Sequence, residues 1–150
     1  MAIFQTATTS FKLELLQQIH NFGPTSPDTF KIALYTSSAT LGSATTGYSA
    51  TNEVSSSGTG YTAGGITLTI NPSPTTGTNS NAVPTAFISF NNVSWTNATF
   101  TAAGALIYNS TEGNKSVAVL LFNTSKTVTD DTFQIIFPTA DANSAIVRIS

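Results

Sequence analysis

The chain has 150 residues, 40% of them hydrophobic and only 8% charged, with a formal net charge of −2 and no cysteine. Such a length fits one domain with a sizeable core, and the charge content is far below the roughly 25% of an average soluble domain. Five scattered basic residues make no stripe for nucleic acid, and the lack of cysteine removes disulfides, thiolate metal sites and thiol chemistry together.

Residues 1–9 read as an uncharged arm with two apolar contacts to offer, Ile3 and Phe4. The arm has neither the charged start nor the apolar run of a signal peptide. The longest apolar run, 117–122, is too short to cross a membrane, so synthesis in a cytoplasm without a membrane partner is expected. A helix is expected over 10–22, where Phe11, Leu15, Ile19 and Phe22 recur at helical spacing behind Ser10 as the N-cap. Gly23-Pro24 is the natural stop.

From Thr29 the period changes to two, the mark of half-buried strands. Strands are expected in TFKIALYT (29–36), GITLTI (65–70), TAFISF (85–90), VSWT (93–96) and TFTAAGALIYN (99–109). SVAVLLFN (116–123), TFQIIFP (132–138) and SAIVRIS (144–150) follow. SVAVLLFN is apolar on both faces, as a central strand would be. About eight strands without crossover helices predict an all-β fold, an antiparallel β-sandwich of jelly-roll-like type, with one N-terminal α-helix. The domain spans 1–150, the sandwich 29–150.

Two polar stretches interrupt this rhythm, 38–65 and 71–84. The first holds Gly47-Tyr48-Ser49-Ala50 and Gly60-Tyr61-Thr62-Ala63 around a serine run and Glu53. A loop this long in a compact domain is functional or a linker, and Tyr48, Val54 and Tyr61 argue against a linker.

Chemistry finds few footholds. His20 is the only histidine, at the expected helix end, where the macrodipole gives it a structural role. A triad would have to use it, and no G-x-S-x-G occurs. Asp130-Asp131 reads as a turn before a strand; neither it nor 111–114 matches a calcium loop, and no metal or cofactor is expected. Five N-x-S/T sequons begin at Asn92, Asn97, Asn109, Asn114 and Asn123, as chance allows in so Asn- and Thr-rich a chain. Trp95 is either a core aromatic or, if exposed, a sugar-stacking one.

Several phrases resemble a family of small virion proteins of tailed bacteriophages: SFKLELLQQIHNF, the run from DTFKIALYT to GYTAGG, VSWTNATFTAAGALIYN and KSVAVLLF. The resemblance spans residues 10–149, and some members of that family are similar to head decoration or cement proteins. It implies a non-enzymatic virion protein, made in the host cytoplasm, that binds the major capsid protein and stabilises the shell. Self-association as a trimer or dimer would suit such a role. Under this reading Ile3, Phe4, Tyr48, Glu53, Val54, Tyr61 and Trp95 are the candidate interaction residues, with loop 38–65 folding onto a sister subunit or the capsid. The alternative is a tail-fibre or host-adhesion module stacking Tyr48, Tyr61 and Trp95 on surface glycans. A depolymerase, needing a carboxylate pair, is the third reading.

Overall fold

The computed structural model describes residues 1–150. The elements in chain order are β1 (Thr6–Ala7), α1 (Thr9–Leu16), β2 (Phe30–Tyr35), β3 (Ile66–Leu68), β4 (Thr75–Thr78), β5 (Pro84–Ile88), β6 (Val93–Asn109), β7 (Lys115–Ile135) and β8 (Val147–Ile149). They make two antiparallel sheets, ordered β1-β7-β6-β2-β3 and β4-β5-β8. Phe30 from the first sheet meets Phe90, just beyond β5, with ring centroids 6.0 Å apart. The protein is thus an all-β sandwich with a single short helix.

Two pairs of expected strands are each one long strand. VSWT and TFTAAGALIYN join as β6, and SVAVLLFN and TFQIIFP join as β7. The breaks in their patterns are bulges within a continuous ladder. Asn97 and Asp130 adopt left-handed backbone (φ 50° and 48°), and the register slips between Trp95 and Ala98. Asp130-Asp131 therefore belongs to a strand bulge, not to a turn. Residues 122–125 stand opposite Ala103 alone, because Ala102 pairs with Lys126 and Gly104 with Leu121. Bulges of this kind increase local twist and bend, which lets long strands follow the sandwich.

The helix is shorter than its apolar spacing predicts. It begins after Thr8, whose hydroxyl accepts from the Phe11 amide at 3.3 Å, so Thr8 and not Ser10 is the N-cap. It ends at Leu16 in a Schellman turn. Gln18 takes φ 59°, the Ile19 amide donates to Glu14 O and the Gln18 amide to Leu15 O. This early stop swings His20 into the interior, beside Phe11 and close to Phe22 and Phe30. The macrodipole is not its partner.

A hydrogen-bond network holds His20 instead. Asn109 Oδ1 accepts from the Thr111 and Glu112 amides, which leaves its Nδ2 to donate to Asp28 (2.7 Å) and to His20 Nδ1 (3.0 Å). His20 Nδ1 is therefore an acceptor, and Nε2–H donates to Glu14 at 2.8 Å. Lys115 donates to the other Glu14 oxygen at 3.0 Å. Burial opposes ionisation of Glu14, but His20 and Lys115 outweigh it and hold the carboxyl below its ordinary range. Helix α1, β6 and β7 are joined by this one cluster.

The middle of the five-stranded sheet, β2 with the adjoining parts of β6 and β7, is buried on both sides. Phe30, Ile32 and Leu34 of β2 face the main core with Ile107 and Val117. Ala33, Tyr35, Leu106, Tyr108 and Val119 face the opposite way, yet are equally shielded. Their cover is the N-terminal arm and the long polar loop, through Ile3, Ala39, Leu41 and half-buried Tyr48. The arm is stitched down by Phe4 N–H to Leu41 O (2.9 Å) and Leu41 N–H to Ala2 O (3.1 Å). At Gly104 a Cβ would lie 2.6 Å from Leu120 O and 3.0 Å from the Ile3 side chain, so glycine leaves the room that side chain occupies.

Candidate functional site

Loop 38–65 was the segment singled out for function, and its geometry is that of a lock. After β2 the chain loops out and returns along the same strand: Thr36 N–H donates to Asn52 O and Val54 N–H to Leu34 O. Tyr35 and Glu53 consequently form an antiparallel bridge. Further along, Tyr48 N–H binds Asn114 O, Ser116 N–H binds Thr46 O, and Thr99 N–H binds Thr59 O. The loop is thereby tied to β2, to β6 and to the start of β7.

Glu53 sits at the centre. Its Oε2 accepts from the Tyr48 hydroxyl at 2.7 Å; its Oε1 accepts from the Tyr61 hydroxyl at 2.6 Å and the Gly64 amide at 2.7 Å. The Tyr61 oxygen in turn accepts from the buried Leu34 amide at 2.9 Å. Tyr108 donates to Gly64 O at 2.8 Å, and Tyr35 donates to Ser49 O at 2.7 Å. All four tyrosines of the chain thus converge on one loop. Tyr48 also stacks on Tyr108 at 4.8 Å, and Tyr61 lies against Trp95 and Phe100. Hydrogen bonds into a carboxylate are about twice as strong as neutral ones, which suits a loop with few apolar residues of its own.

The four phenols are all pushed above their ordinary range. Burial is the first cause for each, and the negative charge of Glu53 adds to it. Because each phenol's folded-state value lies above its unfolded one, the stability it contributes is fully present below about pH 10 and is lost as the pH rises beyond it. Urea unfolding midpoints should therefore be flat from pH 7 to 9 and fall above about pH 10. Absorbance near 295 nm should show tyrosinate only as the chain unfolds. Full tyrosine titration at pH 10 with the fold retained would contradict the lock.

These contacts correct the expectation that the loop lies on a neighbour. Val54 and Tyr61 are buried within this subunit, and Tyr48 and Glu53 are half-buried in the network just described. Trp95 is only 6% exposed and packs against Tyr61 and Phe133. The platform that glycan stacking would require is therefore turned inward. Ile3 is likewise buried; of the seven candidates only Phe4, at 65%, is openly exposed. Sequence reasoning misses Tyr35, Tyr108 and the partners that hold His20, Glu14 and Asn109. The signal available for the two tyrosines was their place at strand ends, on the face opposite Ile32, Leu34 and Ile107.

The remaining carboxylates do not assemble. Glu14 and Glu53 belong to separate networks, and no three His, Asp or Glu side chains are arranged to hold a metal ion. No helix is long and apolar enough to cross a membrane. Neither a protein-family model, nor a curated protein, nor a solved structure matches this chain.

Proposed function

We propose that the chain is a non-enzymatic structural subunit of a tailed-phage virion, a cement or decoration protein that binds the major capsid protein and stabilises the head shell. The observation that carries this reading is the closed outer layer. Arm and loop are both used to seal the subunit's own central sheet, and the Glu53 carboxylate with the Tyr48 and Tyr61 hydroxyls is satisfied internally. The result is a closed block whose surface is rich in Thr, Ser and Asn and poor in charge. Many copies of such a block can crowd a shell without like-charge repulsion. The resemblance of its sequence to small virion proteins points the same way. Self-association as a trimer or dimer would give the repeated contacts that a symmetric shell needs.

The test is a density map of the phage particle together with the copy number of this chain. The proposal expects density on the outer head surface at a fixed number of copies per capsomer. Density confined to the tail, or absence from the particle, would refute it. Inward-facing Trp95 and Tyr61 weigh against the tail-fibre alternative, which relies on them as exposed stacking rings.

A further inference from the structure

The sandwich has an open side. β1 ends one sheet and β8 ends the other, and each has an edge with no strand beside it. A groove runs between them, with Ala7 on one wall and Ile146 on the other. It continues along α1 over Leu15 and Leu16, facing Ile149. Leu16 is 85% exposed and Ile149 61%, so adjoining apolar surface is left to water here. The only charged side chains lining the groove are Lys12 and Arg148, both cationic, in a chain whose net charge is −2.

We infer that this seam receives an extended segment of a different protein, apolar at alternate positions and carrying carboxylates, which adds as a strand along β8. An open sheet edge supplies backbone pairing, and the adjoining groove supplies pockets for alternate side chains. The two cations select for acid. They also argue against a second copy of this chain as the occupant. Antiparallel pairing of two three-residue β8 strands about a two-fold axis would bring the Arg148 side chains of both copies opposite or diagonal to each other, and like charges so placed are destabilising. The inference rests on the reading of the chain as an assembly protein, since it names the surface by which it would hold its partner.

The test uses the isotope-labelled full chain and two blocked decapeptides in which Val alternates with Thr and Glu, or with Thr and Lys. Amide shifts should appear at Ile146–Ile149 and along α1, with about tenfold tighter binding of the acidic peptide, as two partly exposed ion pairs give. Lys12→Glu/Arg148→Glu should reverse the preference, and Leu16→Asp should abolish binding; all three side chains are exposed, so the fold is expected to survive. No shifts at β8, or equal binding of both peptides, would overturn the inference. So would a dimer in light scattering that Leu16→Asp dissolves, because the occupant would then be a second copy. Phage heads lacking this chain separate the two claims. If the wild type ignores heads but binds the acidic peptide, the seam stands and the capsid reading falls. If wild type and Leu16→Asp coat heads equally, the seam is not the docking surface.

Discussion

Replacing Gly65 by alanine is expected to cost the protein most or all of its stability. A Cβ at this position would lie 1.8 Å from Ile32 O and 2.8 Å from Ala33 Cα, on a backbone with φ +74°. Ile32 is fully buried on β2, which is paired with β3 on one side and β6 on the other. The strand cannot retreat without breaking a ladder, so the end of the loop would have to lift away. Lifting it would move Gly64 off Glu53 and Tyr108. A loss above about 4 kcal/mol is expected, a large share of the roughly 5–15 kcal/mol that holds a typical domain together. Gly58→Ala is the control, with φ +69° but nothing within 4 Å of the new methyl. It should cost only about 1–2 kcal/mol, the strain of a left-handed alanine. Soluble yield and urea unfolding read both. A Gly65→Ala protein as stable as Gly58→Ala would remove the close approach from the account.

Glu53→Ala carries the next largest effect. It strips the acceptor from two phenols and one backbone amide at once. Because the carboxylate is half-buried, water can replace part of what is lost, and the cost is about 2–4 kcal/mol. For a chain of this size that lowers the melting temperature by roughly 5–15 °C. Glu53→Gln keeps one oxygen and should lose about half as much. Tyr61→Phe leaves the Leu34 amide without its partner and should cost about 1–2 kcal/mol. Tyr61→Phe made on top of Glu53→Ala should cost less than it does alone, since the pair shares a bond. Additive losses, or a Glu53→Ala protein that melts with the wild type, would show that the hub does not hold the loop.

Much of the sandwich is legible in the chain because period two is a direct record of sheet burial. Phe30, Ile32 and Leu34 alternate as a core-facing set and are one. What the pattern conceals is the second buried face. Ala33 and Tyr35 occupy positions that would be wet in a half-buried strand, and Ile3 of the arm with Ala39, Leu41 and Tyr48 of the loop make them dry. The helix is overextended in the sequence reading for a related reason. Ile19 and Phe22 keep helical spacing with Phe11, yet burial of His20 against Glu14 and Asn109 outweighs one more turn of helix. Asn97 and Asp130 look like strand breaks because residues tolerant of left-handed backbone serve bulges as well as turns.

The loop shows the limit most clearly. Its tyrosines signalled that it is no linker, but a tyrosine that anchors a partner and one that anchors its own sheet have the same local sequence. The distinction lies in Tyr35 and Tyr108, on strands far along the chain, and in Gly65 lying against Ile32 O. At Tyr48, Glu53 and Tyr61 polarity serves internal hydrogen bonds, while residues such as Ser55, Ser56 and Ser57 face water.

The central claim is that loop 38–65 is closed over its own sheet before any partner arrives. Hydrogen exchange on the isolated chain tests it directly at three amides: Tyr48 bonded to Asn114 O, Val54 to Leu34 O, and Gly64 to Glu53. The account predicts that these amides are protected to nearly the same degree as those of β2 and β6. Exchange of all three at free-peptide rates, with the strands still protected, would contradict it and make the loop a segment ordered only on assembly.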